Sequence, residues 1–373
     1  MEYDETVCMA ALNSVLGYDP VTASRLLSSA GGAGELFRKP PLPFAMKLTP
    51  GILEKTAGSL EAIGKAGIRF IPSSSADYPP LLKECPDYPV GIYYKGISPP
   101  SEVFREDRRA VAIIGTRSPS PYGRKYCRDI VSKLSHTKEK PLIVSGLAYG
   151  IDYIAHSSAL EMGLTTVAVN ATGLDSVYPF RHAALAERIA STPGCALVSD
   201  YPPGTAPLPA NFLRRNRIIA GLCQASILIE SKVKGGGLVT IRYANEYDRS
   251  AFALPGRIDD ICSIGCNNLI SKNMAEIITS PGDLVQRLGL SPSEAGDGDR
   301  MEEASRLVGG MFPPEEASII LQMLEHIRKE DGILAETLSG RCGYGMGRIS
   351  AWITALETLG LVKCDLAGRC FVR

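Results

Sequence analysis

Residues 110–117 read Ala-Val-Ala-Ile-Ile-Gly-Thr-Arg, and this stretch decides the fold class. Five consecutive apolar residues predict a buried strand, and Gly115 marks the turn at which the strand ends and a helix begins. Segments of helical periodicity alternate with further short apolar runs, at 142–144, 166–169, 196–198, 226–229 and 251–254. Continuous apolar strands between helices are typical of a mostly parallel sheet covered on both faces. The sequence therefore predicts an α/β fold.

The overall charge of the chain gives no electrostatic attraction toward nucleic acid. Among the 373 residues, 40 are basic and 40 are acidic, so any binding of a polyanion must come from a local patch. The first five residues are acidic where a signal peptide would be basic, and no run approaches the roughly 20 apolar residues of a spanning helix. We expect a cytoplasmic protein without a membrane partner.

The ten cysteines are scattered and give no metal-binding pattern. There is no C-x-x-C, only four histidines are present, and the single close pair, Cys262 and Cys266, has no second pair at a spacing usual for zinc. We expect reduced thiols packed as small apolar groups and no structural metal.

Four segments differ in pattern along the chain. Short helices, including 8–16 and 21–30, predict a helical N-terminal module over 1–75 that resembles SAM or helix-hairpin-helix domains. The α/β core spans 76–290, and 291–314 is a linker rich in Pro, Gly and acidic residues. Residues 315–373 predict three helices and a hairpin around Leu366-Ala367-Gly368, a winged-helix pattern. Because residues 313–373 hold seven basic and eight acidic side chains, a protein contact or a stabilising role is favoured there over duplex binding.

Two glycine turns follow predicted strands, and both are candidates for phosphate binding. In open α/β sheets the carboxyl ends of the strands form the ligand edge, where helix N-termini present amides to anions. Gly115, Thr116 and Arg117 offer an amide, a hydroxyl and a guanidinium, although a tight turn with a surface ion pair explains them equally well. In the turn 145–152, glycines allow the backbone to approach a phosphate, whereas Asp152 is better suited to capping the next helix.

The run Asn-Phe-Leu-Arg-Arg-Asn-Arg at 211–217 carries three guanidinium groups and two amides with no acid among them. Arginine forks match phosphate oxygens in a bidentate manner, so this run suggests a polyanion rather than one small nucleotide. A third glycine turn, 234–240, begins with a lysine and again follows a strand. The chain has neither G-x-x-x-x-G-K-[ST] nor G-x-G-x-x-G, and it shows no nucleophile-and-base set. ATP hydrolysis and dinucleotide redox chemistry therefore have no positive signal, and we expect no nucleotide cofactor.

Taken in order, these motifs resemble the DNA-processing protein A (DprA/Smf) family. They are Gly-Thr-Arg at 115–117, Ser-Gly-x-Ala-x-Gly-Ile-Asp at 145–152, Arg-Asn-Arg-Ile-Ile-Ala-Gly at 215–221, Ala-Leu-Pro-Gly at 253–256 and Gly-Cys-Asn-Asn-Leu-Ile at 265–270. The resemblance implies an extended Rossmann-like core that binds single-stranded DNA, protects it, and loads the RecA recombinase in natural transformation. It also implies a homodimer without catalytic activity.

The resemblance assigns single-strand contacts by motif to Arg117, Phe212, Arg214, Asn216, Arg217 and Lys234. Together with the turns, the predicted phosphate and single-strand site comprises Gly115, Thr116, Arg117, Ser145, Gly146, Asn211, Phe212, Arg214, Asn216, Arg217, Lys234 and Gly236, with Gly150 and Arg181 at its margin. The chain departs from the family pattern where Leu213 replaces a proline, Gly235 and Gly237 replace serines, and Phe180 replaces a lysine that Arg181 beside it is a candidate to substitute.

Two other functions remain open from the residues. A nucleotide-processing hydrolase on the same scaffold would carry a Pro-Gly-Gly-x-Gly-Thr motif, of which residues 235–240 are only a loose echo. A transcription regulator would read duplex DNA through the winged helix.

Overall fold

The structure is a computed structural model that describes residues 4–293, 304–330, 332–365 and 368–372. The chain divides into two compact units, with the boundary between Pro292 and Ser293. Within the described ranges, no helix is both long enough and apolar enough to cross a membrane.

The N-terminal segment is helical, as the sequence predicted. Asp19 caps the second helix by accepting a hydrogen bond from the Thr22 amide (3.0 Å), and Gly31 ends it with a φ of 77°. A single 3-10 turn, Leu42–Phe44, precedes the last helix of the segment. The helices are α1 (Glu5–Leu16), α2 (Pro20–Ala30), α3 (Ala33–Arg38) and α4 (Pro50–Gly64).

A nine-stranded sheet forms the centre of the first unit. Its strands are β1 (Ile68–Pro72), β2 (Gly91–Lys95), β3 (Ala110–Ile114), β4 (Leu142–Ser145), β5 (Thr166–Val169), β6 (Ala196–Ser199), β7 (Ala225–Leu228), β8 (Ser250–Ala253) and β9 (Glu276–Ile277). The order is β1-β2-β6-β5-β4-β3-β7-β8-β9. Every pair from β6 to β9 is parallel, and only β1 and β2 run antiparallel to their neighbours. The predicted mostly parallel α/β sheet is confirmed.

Helices cover both faces of this sheet. They are α5 (Pro80–Lys83), α6 (Pro100–Val103), α7 (Pro121–Ser135), α8 (Ile151–Glu161), α9 (Ala183–Ser191), α10 (Pro209–Gly221), α11 (Gly236–Glu246), α12 (Ile264–Ser271) and α13 (Pro281–Arg287). Alternate residues of β3 enter opposite layers: Ala112 and Ile114 pack in a cluster with α10 and α11, whereas Val111 and Ile113 pack with α7 and α8. This two-residue alternation explains why a strand buried on both faces is apolar throughout.

Strand β1 differs from the sequence prediction, which assigned residues 1 to about 70 to short helices. Its five residues pair antiparallel with β2, from Ile68 opposite Lys95 to Pro72 opposite Gly91. Phe70 packs against Tyr93 with ring centroids 5.0 Å apart. A five-residue run that follows a long helix gives little periodicity to read, and pairing with β2 decides its conformation.

The second unit contains helices α14 (304–311), α15 (Pro314–Lys329), α16 (Ala335–Cys342) and α17 (Met346–Thr358). Strands β10 (Ile333–Leu334), β11 (Val362–Cys364) and β12 (Arg369–Val372) form an antiparallel sheet of order β10-β12-β11. Helix α14 lies in the segment expected to be a linker, and its Ala304 and Val308, one turn apart, are buried. Of the predicted hairpin turn, Leu366 and Ala367 lie outside the described residues, and the winged-helix assignment stays a prediction.

Candidate nucleic-acid interface

The three predicted glycine turns meet at the carboxyl edge of the sheet. The amide of Ile151 donates to the Thr116 carbonyl (3.2 Å), which ties the turn after β4 to the turn after β3. Gly150 has a φ of 81°, and a Cβ there would lie 2.4 Å from the Thr116 carbonyl oxygen. A Cβ on Gly237, in the turn after β7, would stand 3.8 Å from Gly115. The turns after β3 and β4 therefore approach each other more closely than a Cβ at Gly150 would permit, and the turn after β7 lies next to them at an ordinary contact distance.

Exposed Arg117 and half-buried Phe212 lie together at this edge. Arg117 is exposed, and its guanidinium carbon lies 5.2 Å from the centroid of the Phe212 ring. On its other side, Phe212 contacts the Tyr178 ring at a centroid distance of 5.3 Å. A cation above an aromatic face and a second ring beside it make a surface that suits both phosphates and bases.

Arg214, a predicted phosphate ligand, is half-buried beneath the N-terminal helices. Its guanidinium carbon lies 4.6 Å from the ring centroid of Tyr18 and 6.0 Å from that of Tyr201. Burial lowers the pKa of Arg214, and its buried Nη2 has no hydrogen-bond partner among the described residues. Arg214 thus lies against two tyrosines and is only partly exposed to solvent.

Arg217 and Asp200 form an ion pair inside the fold. The Arg217 side chain is 3% exposed, and its Nη2 donates to Asp200 Oδ2 at 2.6 Å. Its Nη1 donates to the Asp87 carbonyl. Burial acts to lower the pKa of Arg217, whereas the Asp200 carboxylate acts to raise it. The net result is a pKa above the ordinary value of arginine. The direct phosphate contact predicted for Arg217 has no support in this geometry, because the guanidinium is enclosed and paired.

Arg215 also lies inside, against Asp152. Its Nη1 donates to the carbonyls of Gly146 (2.8 Å) and Val169, and burial lowers its pKa to about 10. Asp152 accepts hydrogen bonds from the amides of Gly146 (3.2 Å) and Ala148 (3.4 Å). Burial raises the pKa of Asp152, while Arg215 acts to lower it. The predicted capping of helix α8 by Asp152 is wrong: Gly150 is the N-cap residue, no side chain caps the helix, and Asp152 in its first turn binds amides of the preceding turn instead.

Several other predicted site residues are buried and form hydrogen bonds within the protein. Ser145 is fully buried, and its hydroxyl donates to the Ile113 carbonyl (2.6 Å). The Gly146 amide donates to Asp152, so it is not offered to a ligand. Asn211 and Asn216 are buried, and their amide groups donate to the carbonyls of Ala206 and Gly236. These four residues shape the edge without facing solvent.

The turn after β7 does face solvent. Lys234 is exposed, as is Lys232, which the sequence analysis did not single out. Helix α11 begins at Gly236, also exposed, and no side chain caps its N-terminus. Uncapped amides at a helix start attract anions. Arg181, the marginal candidate, is exposed in the 3-10 turn Phe180–His182.

Three acidic residues near this edge are buried and accept hydrogen bonds, although Asp200 Oδ1 has no hydrogen-bond partner among the described residues. Glu230, fully buried after β7, accepts hydrogen bonds from the amide (2.9 Å) and hydroxyl of Ser120 at the start of α7. Asp152 and Asp200 are likewise buried and bonded. These three acids are buried, whereas Arg117, Lys232 and Lys234 are exposed and give this edge positive charge at its surface.

Sequence reasoning missed the aromatic residues of the edge. Tyr149 and Tyr153 are each 41% exposed and contact the ring of buried His182. Tyr178 precedes Pro179 in the same neighbourhood. Tyr149 stands inside the turn 145–152, and an exposed aromatic within a phosphate-binding turn was the available signal. The described residues contain no group of three or more His, Cys, Asp or Glu side chains able to hold a metal ion.

Comparison with known proteins identifies the family of this chain. The model of the family described as DNA recombination-mediator protein A matches residues 69–289. Protein Smf of Synechocystis sp. is 36% identical over 322 residues, covering 79% of this chain and 78% of that protein. DNA processing protein DprA of Streptococcus pneumoniae is 40% identical over 208 residues, covering 56% of this chain and 70% of its own length.

Two solved structures share the fold. The X-ray structure of DNA processing protein A from Streptococcus pneumoniae aligns with a TM-score of 0.61 and 31% identity, covering 77% of this chain and 98% of that one. DNA processing protein A of Helicobacter pylori, whose structure describes a single-stranded DNA binding mode, aligns with a TM-score of 0.52 and 28% identity, covering 59% of this chain and 95% of its own. Since the family match spans more than half of its length, this chain belongs to the DNA recombination-mediator protein A (DprA/Smf) family.

Proposed function

We propose that this protein binds single-stranded DNA along the carboxyl edge of its sheet, with little preference for sequence. The contact of exposed Arg117 with the half-buried Phe212 ring, which Tyr178 also contacts, is the observation that carries the proposal. A guanidinium binds a phosphate while an adjacent aromatic face accepts a base, and every base offers a face of that kind. Lys234 and the uncapped amides of α11 supply a second cationic position for the backbone of the strand.

The remaining members of the predicted site act as a scaffold in this proposal. Arg215 and Arg217 fix helix α10 against Gly146 and Asp200, which sets the position of Phe212. Arg214, under Tyr18, links the same helix to the N-terminal module. Their charge contributes to the field of the edge, but the direct contacts come from Arg117, Phe212 and Lys234.

In the cell, the proposed role is to bind incoming single strands in the cytoplasm during natural transformation, to protect them, and to load RecA on them as a homodimer. Membership in the family supports this role, and so does the single-strand binding mode described for the relative from Helicobacter pylori. Binding rather than catalysis suffices for each of these steps. We therefore expect no turnover of nucleoside monophosphates by the intact protein.

The decisive experiment measures the affinity of the intact protein for single-stranded and duplex oligonucleotides at about 50 mM and about 200 mM salt. We expect tighter binding to the single strand, with a steep loss of affinity at the higher salt because phosphate contacts release counterions. Arg117→Ala should weaken binding about tenfold for all sequences alike, since it removes both a phosphate fork and a cation over Phe212.

Lys65→Ala is the matched control, because Lys65 is a highly exposed cation beside α4 that pairs with Glu61. It removes the same charge and should leave affinity unchanged. Equal affinity of wild type, Arg117→Ala and Lys65→Ala, or a preference for duplex, contradicts the proposal.

A further inference from the structure

Two cysteines of the second unit face each other across the antiparallel strands β11 and β12. Cys364 is the last residue of β11, and Cys370 pairs directly opposite it on β12. Both are free thiols in this structure. Their Sγ atoms lie 3.0 Å apart, closer than the roughly 3.5–4.0 Å at which unbonded carbon atoms pack. A bond between the two sulfurs therefore requires only a small movement.

The hydrogen-bond register of the two strands suits a disulfide. The Asp365 amide donates to the Arg369 carbonyl (2.9 Å), so these two residues form a hydrogen-bonded pair. The adjacent pair, Cys364 and Cys370, is consequently of the non-hydrogen-bonded kind, and the Cys364 amide donates instead to Glu357 Oε1 (2.9 Å). Opposite residues of such a pair have Cα atoms about 4.5 Å apart. A disulfide spans this separation, because its Cα atoms usually lie about 4.4–6.8 Å apart.

The two thiols differ in their access to solvent. Cys370 is 1% exposed and belongs to the apolar core of the second unit. Cys364 is half-buried at the margin of that core. Burial raises the pKa of Cys364 to about 12 and also raises the pKa of Cys370, so the reactive thiolate is scarce at neutral pH. A reagent therefore reaches Cys364 before Cys370, and the reaction is slow.

We propose that Cys364 and Cys370 are a redox-modification site, which a low-molecular-weight disulfide oxidises to a reversible intrachain disulfide. The Cys364 thiolate attacks one sulfur of the reagent and forms a mixed disulfide, and the reagent thiolate that leaves takes up the proton that Cys364 lost. Cys370 then attacks the Cys364 sulfur, and the second reagent thiol leaves with the proton of Cys370. The two protein thiols lose two electrons and two protons, and the reagent disulfide is reduced to two thiols.

The bond joins β11 covalently to β12, the central strand of the three-stranded sheet. A cross-link closes the loop 364–370 in the unfolded chain and reduces its conformational freedom, so it should raise the unfolding temperature of the second unit by roughly 5–10 °C. In a reducing compartment such a disulfide is transient, and the hairpin would be locked only under oxidation. This modification is independent of DNA binding at the sheet edge, whose residues take no part in it.

The test equilibrates the intact protein with oxidised or reduced glutathione, blocks free thiols with N-ethylmaleimide in denaturant, and maps peptides by mass spectrometry. Trypsin cleaves after Lys363 and Arg369, so Cys364 and Cys370 fall in separate peptides that only a disulfide can join. These peptides should be joined in oxidised glutathione and separate in reduced glutathione. Cys364→Ser should abolish the cross-link. The matched Cys342→Ser, which removes the third cysteine of the second unit, should retain it.

Thermal unfolding measures the locking of the hairpin in the same samples. Trp352, the single tryptophan of the chain, is buried in the core of the second unit, so its fluorescence follows the unfolding of that unit. Wild type and Cys342→Ser should unfold at a higher temperature when oxidised, whereas Cys364→Ser should unfold at the same temperature in both buffers.

The proposal is overturned if the two peptides stay separate in oxidised glutathione while the protein is folded, or if either cysteine is joined to a different one. Equal unfolding temperatures of oxidised and reduced wild type overturn it as well. Binding of single-stranded DNA by either form, or its failure, bears on the proposed function alone.

Discussion

Arg117 and Arg217 have the same side chain, lie in neighbouring motifs of one domain, and have opposite surroundings. Arg117 follows the end of β3, is exposed, and contacts Phe212. Arg217 lies on α10, is 3% exposed, and is bonded to Asp200 and Asp87. The desolvation of a buried guanidinium is costly unless a carboxylate and carbonyls replace water, and here they do. An arginine in a binding motif therefore stabilises the fold where neighbouring carboxylates and carbonyls already occupy its donors, and it is available to a ligand where they do not.

The comparison predicts that replacing Arg217 lowers the free energy of unfolding, whereas replacing Arg117 weakens DNA binding. Arg217→Ala leaves the Asp200 carboxylate buried without its partner, so the free energy of unfolding should fall by about 3–5 kcal/mol. Arg117→Ala should change it by less than about 0.5 kcal/mol while it weakens DNA binding. Urea denaturation of both variants tests this. Arg242→Ala, which removes an exposed i,i+4 pair with Glu246, is the surface control and should cost no more than about 0.5 kcal/mol.

Gly150 tests whether the two turns that position Arg117 are held as closely as the structure shows. Gly150→Ala places a Cβ 2.4 Å from the Thr116 carbonyl oxygen at a φ of 81°. We expect a loss of about 2–3 kcal/mol in unfolding free energy, together with weaker DNA binding because Arg117 shifts. Gly58→Ala, in α4 with nothing within 4 Å, should instead stabilise by about 0.5–1 kcal/mol. Similar behaviour of the two variants would contradict the close approach.

Buried His156 makes the stability of the protein depend on pH. Its Nδ1 donates to Thr166 Oγ1 (2.7 Å), and burial, aided by Arg215 and His182, lowers its pKa to about 3. Below about pH 6.5, His156 binds a proton in the unfolded chain but not in the folded protein. The free energy of unfolding therefore falls as the pH falls. Between pH 6.5 and 5 this contribution is about 2 kcal/mol.

Urea denaturation across that pH range, for wild type and His156→Gln, isolates the histidine. The variant should show a shallower loss of stability toward acid than wild type. Parallel curves would mean that His156 takes up a proton equally in both states.

Of the substitutions of exposed residues, Lys234→Ala should have the smallest effect on DNA affinity. Lys234→Ala removes one cation from a solvent-exposed turn, so affinity for single strands should fall about threefold at low salt. The slope of log affinity against log salt should decrease by about 0.7, as expected for one phosphate contact on a single strand. Fluorescence anisotropy titrations at several salt concentrations measure both quantities. An unchanged slope would remove Lys234 from the contact surface.

The elements of the core were largely predictable because each is encoded locally. The apolar run 110–114 predicted β3 with its observed bounds, and the run 166–169 did the same for β5. The strand β1 and helix α14 were not predicted, since one depends on pairing with β2 and the other on two buried residues in a polar segment. The exposed tyrosines escaped notice because exposure is a property of the assembled surface.

By itself, the sequence determined the fold class, the position of the glycine turns, and the family, because strand periodicity, turn chemistry and motif order are written along the chain. Only the tertiary structure decided which cations face solvent. Arg215 and Arg217 lie about 200° apart around helix α10 and are both buried, whereas Phe212, about 60° from Arg215, is partly exposed. Helical spacing alone therefore does not show which of these side chains reach solvent. Arg215 lies against Asp152 of helix α8, and Arg217 pairs with Asp200 in the segment after β6. Both acids are distant in sequence, and no local pattern shows that they will be there.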